Sequence, residues 1–318
     1  MTHRRHTDEM DDTDSLHDAA LRRRAFASAA VTGLAGLAGC TGTVRPFVGK
    51  RETTTDAATG VQSLVVAADV GDVTVTPNAD LSAGAVRAHV TKRSSSLLRS
   101  LSSATFSLTT TDGRAEARVR TEDGVVRLGP TPNVRLRIEA HPSVVVAAAR
   151  SSDGDVTVEG VDGPDAGDAE SADPLRVEST NGDVTARGTG GDAVVRTTNG
   201  DATATGVDGF VRVQSVNGDV RAHSCDGVRG VVSKNGDAEA TVRALRSDAD
   251  VGATNGDVRA ALGASLDARV VAETTHGDLT VSATLDDARR SDRRVAGTVG
   301  DGGPTLRVSS ETGDVTVT

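Results

Sequence analysis

Aromatic side chains are almost missing. The 318-residue sequence has no Trp, no Tyr and only four Phe. An interior without large rings must come from Val, Ala, Leu and Thr, and such residues suit a thin, extended sheet structure better than a thick globule. The same lack removes stacking platforms for bases and for flat sugar faces. Lysine is nearly absent too, found only at Lys50, Lys92 and Lys234, and the formal net charge is −10. The acidic, Lys-poor composition suggests no basic face to neutralise phosphates, which argues against nucleic acid as a partner. Cysteine occurs twice, at Cys40 and Cys225. Cys40 belongs to a leader described below, so no disulfide framework exists, and Cys225 sits at an apolar repeat position as a small buried hydrophobe.

Signatures of chemistry are lacking as well. The sequence contains no G-x-S-x-G, phosphate-loop or zinc motif. His89, His141, His223 and His276 are scattered without metal-ligand spacing. Carboxylate pairs carry no signal in a chain with 45 Asp and Glu. The expectation is no catalytic residue, no metal and no cofactor.

The composition that is present, acidic and rich in Ala, Val, Asp and Thr, is similar to that of proteins from halophilic archaea. Near the N-terminus, Arg23, Arg24 and Phe26 resemble a twin-arginine export signal. A weakly apolar run follows from Ala25 to Ala38. Its fourteen residues would span about 21 Å as a helix, short of a ~30 Å hydrocarbon core, so it reads as a signal-peptide core. Leu37, Ala38, Gly39 and Cys40 then resemble a lipobox, which implies that Cys40 becomes a lipid-modified mature N-terminus. The expected partition is a leader over 1–40, a flexible tether over 41–60, an N-terminal β region over 61–150 and a repeat region over 151–318.

The repeat is announced by Gly-Asp steps at Gly154, Gly182, Gly200, Gly218, Gly236, Gly256, Gly277 and Gly313, at intervals of 28, 18, 18, 18, 20, 21 and 36. The base period is 18. The interval of 28 holds an acidic insertion within Gly163–Pro174, and 36 reads as two periods with one copy degraded. A fixed period of this length means stacked units. Within one unit, Val211, Val213, Ser215 and Asn217 share one face while Arg212 and Gln214 take the other, and Val220 and Ala222 continue inward after the turn. Asn-Gly and Asp-Gly supply positive φ for sharp corners. Each unit is therefore two short strands and two corners. The predicted fold is all-β, a β-solenoid with coils of about 18 residues, preceded by a less regular β region that forms either wider first coils or a capping sheet. A hairpin meander is the competing architecture, but it does not demand near-identical residues at every second turn.

The stretch Asn133–Pro164, "NVRLRIEAHPSVVVAAARSSDGDVTVEGVDGP", followed by Asn-Gly-Asp coils, resembles the "putative adhesin" family of prokaryotic envelope β-solenoid proteins. The resemblance covers roughly Val61 to Thr318, with His276 and Thr312 departing from Asn in the last coils. It implies a solenoid at the cell surface, and for some members a role beside envelope-stress systems.

Two columns follow from the period. Asn181, Asn199, Asn217, Asn235 and Asn255 are expected to face inward and bond amide to amide along the axis. Gly182, Gly200, Gly218, Gly236 and Gly256 turn the corners, with Asp183, Asp201, Asp219, Asp237 and Asp257 stacked beside them. Like charges ~4.8 Å apart repel by about 0.9 kcal/mol even at bulk-water permittivity. Asx turns, screening by salt, or cations between rungs would relieve that. The half-repeats lack the Gly-Gly-x-Gly of calcium β-rolls and supply too few oxygens for a Ca²⁺ shell, which favours turns and salt.

The sequence thus predicts a non-catalytic structural or adhesin-like interaction module, anchored by lipid to the outer face of the cell membrane. Its expected partners are the membrane and an envelope or cell-surface protein or glycan. An envelope-stress accessory and a cation-binding or carbohydrate-active solenoid are the alternatives. Because the chain stops in a strand after Gly313, an uncapped last coil around Val315–Val317 would offer end-to-end self-association unless the charged stretch Leu285–Gly303 folds over it.

Overall fold

Alternating small apolar residues make strands that bury one face, and here the 18-residue period superposes those faces. A computed structural model describes residues 49–94, 101–121, 133–164 and 173–318. In it, Phe210–Asn217 runs into the Asn-Gly corner, Gly218 and Asp219 turn it, and Val220–His223 runs out. The next coil repeats this with Gly227–Asn235 and Ala238–Val242. Inbound strands pair in parallel with inbound strands, as Ser215 with Ser233 and Asn217 with Asn235. Outbound strands pair likewise, as Val220 with Ala238. The result is a β-solenoid with two facing sheets, which we call inbound and outbound, holding thirteen and twelve strands among the described residues.

The core lies between the sheets. Val195, Val213, Val231 and Val251 from one side and Ala204, Ala222, Ala240 and Ala260 from the other are buried. Val facing Ala keeps the sheets close without aromatic filler. Cys225 is buried and unpaired, and burial pushes its thiol pKa up. At the second corner of the coil, Asp192 is only 2% exposed. It accepts the Phe210 amide at 2.8 Å and pairs with Arg246 at 3.0 Å and Arg229 at 3.4 Å, while Arg246 lies 3.9 Å over the Phe210 ring. This paired, hydrogen-bonded carboxylate is tied to residues of the three coil levels that follow it, and the sequence pattern did not reveal it.

The ends differ from the expected order. The interval of 36 is not two periods. After the outbound strand Leu279–Val281, the chain forms a hairpin, Asp286–Ser291 with Arg294–Val299, set antiparallel on Ala268–His276. It then returns and lays its last coil, Thr305–Thr312 and Val315–Val317, between the two preceding coils. Val315 and Val317 are fully buried, so the expected free end at these residues is corrected. The outermost strands there are Leu279–Val281 and the exposed, charged Asp286–Ser291. The stretch Leu285–Gly303 extends the inbound sheet rather than covering the final Gly-Asp coil.

The N-terminal region is both first coil and cap. Ser63–Ala68 and Asp72–Pro77 stack in parallel on the coil begun at Val145, with Gly71 in the corner column. The segment "GDVTV" at Gly71–Val75 is repeated at Gly154–Val158 and Gly313–Val317, so Gly71 extends the Gly-Asp series toward the N-terminus. Beyond that coil lie Arg114–Thr121 and Asn133–Ala140 in parallel, then antiparallel Val86–Ser94, Lys50–Ala58 and Ala104–Thr111. The boundary expected at 150 falls inside the strand Val145–Asp153 and separates nothing. The tether expected over 41–60 is corrected over 50–58, since Lys50–Ala58 is a nine-residue edge strand, while 41–48 lie outside the described residues. Both of its faces are polar, so no alternation betrayed it. It is held by its ladder to Val86–Ser94.

Why glycine recurs is a matter of distance. From Gly154 onward the corner glycines hold φ between +138° at Gly200 and +155° at Gly277, and Gly71 holds +108°. A methyl group on Gly218 would overlap the Gly200 carbonyl oxygen, and one on Gly200 the Gly182 carbonyl. Gly218→Ala should therefore cost about 3 kcal/mol in chemical unfolding, through forbidden contact and backbone strain. Gly188→Ala is the control. Its φ of +56° is also left-handed but no atom lies within 4 Å of the added carbon, and it should cost about 1 kcal/mol.

Candidate interaction face

Each Asn-Gly-Asp corner is a set of three columns. The Asn column is a continuous amide ladder: Nδ2 of Asn199, Asn217, Asn235 and Asn255 donates to Oδ1 of the Asn one coil before at 2.8, 2.8, 2.9 and 2.9 Å. These side chains are exposed, which corrects the inward placement. Alternation stops counting where the chain turns. Ser215 is the last inward residue, and Asn217 stands on the rim.

The Asp column carries a second ladder. The backbone N–H of Asp201, Asp219, Asp237 and Asp257 donates to Oδ1 of the Asp one coil before, at 2.8–2.9 Å. Asp183 does so to Asp155, Asp314 to Asp257 and Asp278 to Asp314. The carboxylate thus braces the neighbouring coil rather than its own turn. Arg221 adds a bridge to Asp219 at 2.6 Å and to Asp201 at 3.5 Å.

The third column is one whose role the sequence reading missed. The buried hydroxyls of Ser179, Thr197, Ser215, Ser233 and Ser310 donate to the carbonyls of Gly154, Gly182, Gly200, Gly218 and Gly256 at 2.8–2.9 Å. Corner carbonyls that point inward need such donors, since water does not reach them. The inward Ser or Thr two residues before each Asn was visible, but its partner required the turn geometry. In the coil of Ala249–Asn255 the equivalent residue is Ala253, which brings no hydroxyl to the Gly236 carbonyl.

Corner columns serve the stack, which leaves the outward faces free of that role. Among the described residues the inbound sheet carries open hollows, of which two lie along the axis near its two ends. One, of about 510 Å³, is lined by Asp250, Gly252, Glu273, Arg293, Arg307 and Glu311 among others. Arg307 meets Glu273 at 3.1 Å, and Arg294 from the hairpin pairs with the same carboxylate. The other, of about 450 Å³, is lined by Arg118, Arg150, Arg196, Glu178, Thr180 and Thr198 among others. The outbound face carries Thr157, Thr185, Thr203, Arg221, Glu239 and Arg259 in register. Among the described residues no group of three or more His, Cys, Asp or Glu is arranged to hold a metal ion. Arg23, Arg24, Phe26, Leu37, Ala38, Gly39 and Cys40 lie outside the described residues, as do residues 165–172 of the acidic insertion.

Three outcomes are expected from the columns. Ala253→Ser should stabilise the protein by about 1 kcal/mol, a rise of roughly 2 °C in Tm, by giving Gly236 its donor. Asp183→Ala should lose about 1–2 kcal/mol at any salt because the Asp201 amide loses its acceptor. Asp183→Asn keeps an acceptor and removes a charge between Asp155 and Asp201. It should raise Tm at low salt, with the gain vanishing near 1 M, where the screening length is ~3 Å. A rise in Tm with Ca²⁺ at constant ionic strength would instead assign the column to cation binding.

A search of curated proteins finds no match. Among solved structures, a "putative lipid binding protein" from Parabacteroides distasonis aligns at TM-score 0.41 with 8% identity, covering 84% of this chain and 97% of that one. A "putative adhesin" from Bacteroides fragilis aligns at TM-score 0.38 with 12% identity, covering 85% and 97%. A "putative cell adhesion protein" from Clostridium sporogenes aligns at TM-score 0.27 with 9% identity, covering 84% and 99%. Residues 143–318, more than half of the 318-residue sequence, match the family described as Toastrack DUF4097, and the chain belongs to that family.

Proposed function

We propose that this protein is a lipid-anchored, extracytoplasmic interaction module that acts by presenting a rigid face rather than by catalysis. The observation that carries this reading is the division of labour in the coil. Inward residues and corner columns are consumed by stacking, while the outward positions hold Arg, Glu, Gln and Thr in fixed columns with strand-to-strand spacing of ~4.8 Å. Such a surface costs little ordering on contact, because the scaffold has already fixed its backbone. The leader motifs support the location: an Arg pair, a short apolar run and a Cys stand in the order of an exported lipoprotein.

Fractionation of cells producing the full chain tests the reading. The wild-type protein should partition with membranes and be cleaved by protease added to intact cells. Cys40→Ser should release it from the membrane fraction, and Arg23→Lys with Arg24→Lys should leave it protease-protected inside the cell. A wild-type chain found soluble in the cytoplasm would overturn the proposal.

A further inference from the structure

The outward face of the inbound sheet carries an arginine row that the stack does not need. In register across six adjacent strands stand Arg118, Ala67, Arg150, Glu178, Arg196 and Gln214. At ~4.8 Å per strand, the three guanidinium groups recur at every second strand, about 10 Å apart along the axis. Ala67 leaves a gap between the first two, and this gap and the strands beside it form the 450 Å³ hollow. One row over, Arg176 and Arg212 flank Val194 with the same two-strand spacing.

The acidic complement is incomplete. Glu178 pairs with Arg150 at 3.0 Å and Glu116 with Arg118, while Asp69, which also lines the hollow, accepts the Thr121 amide at 3.1 Å. Among the described residues Arg196 and Arg212 have no carboxylate partner. Arg118 also keeps its Nε buried without a hydrogen-bond acceptor among the described residues. Beside the row, Ser152, Thr180 and Thr198 place hydroxyls along the same hollow.

Resting on the interaction-module reading above, we propose that this groove binds a linear glycan bearing carboxylates, a polyuronate in chemical class. Carboxylates on a linear chain suit guanidinium groups set in a line, since Arg takes carboxylate oxygens in a bidentate fork. The Ser and Thr hydroxyls meet sugar hydroxyls. Recognition by ion pairs and hydroxyls needs none of the Trp and Tyr rings that the sequence lacks. The overall charge of −10 confines attraction to this strip and makes it sensitive to salt.

The test is calorimetric titration of the purified full chain with polygalacturonate at moderate salt, against neutral dextran, polyglutamate and phosphatidylglycerol vesicles. Polygalacturonate should bind and dextran should not. Polyglutamate, which has carboxylates without hydroxyls, should bind at least about tenfold more weakly. Arg118→Gln and Arg196→Glu should each weaken binding by about tenfold, the loss of one charge-assisted pair. Arg259→Glu, on the outbound face, should leave it unchanged. Equal loss in the Arg259 variant, equal binding of polyglutamate, preference for the vesicles, or no binding of polygalacturonate would each overturn the proposal. If polygalacturonate fails while the chain remains membrane-bound and protease-accessible on intact cells, the groove's ligand is wrong and the surface-module reading survives.

Discussion

The close approach of glycine backbones at the corner is the constraint on which the rest depends. Gly71, Gly154, Gly182, Gly200, Gly218, Gly236, Gly256, Gly313 and Gly277 stack so tightly that a Cβ on any after the first would collide with the backbone of the one before. That contact sets the spacing and register of the coils. Register then places Ser or Thr under the corner Gly carbonyls, Gly236 excepted, Asn over Asn on the rim, and each Asp carboxylate against the next amide. The charge crowding this creates in the Asp column is offset by the hydrogen bonds that the same carboxylates accept and by Arg221.

A solenoid must also end, and here each end is closed by departing from sequence order. At the N-terminal end, the chain completes one coil, runs outward through antiparallel strands, and returns to begin the next coil at Val145. At the C-terminal end, the coil of Ala268–His276 leaves room for one more coil, and Thr305–Val317 fills it. Antiparallel strands with polar or charged outer faces then border the inbound sheet, as edge strands in soluble proteins commonly do. The most repeat-like C-terminal sequence is therefore the best protected.

With the interior and corners committed to stacking, the faces are free to vary. The columns on the inbound face change from Arg-rich near Arg118 to mixed and acidic near Glu273 and Glu311 without disturbing any buried residue. A scaffold of this kind separates stability from recognition, because outward residues in parallel strands pack only on their lateral neighbours.

Much of this was legible in the sequence, for a physical reason. Period-two alternation and an 18-residue repeat are local and self-similar, so the coil, its two strands, the corner Gly and the burial of Val211, Val213 and Cys225 could be read from residues alone. Tertiary structure decided what depends on contacts between distant segments. Alternation is undefined inside a turn, so the rim position of Asn217 and the Gly200 carbonyl awaiting Ser215 needed backbone geometry. A polar edge strand such as Lys50–Ala58 has no pattern to betray it, since pairing on one side suffices to hold it. The order of coils at the ends, and the meeting of Arg118, Arg150 and Arg196 in one row, follow from which strand lies beside which. A repeat makes every coil an equally plausible neighbour, and only the folded stack chooses among them.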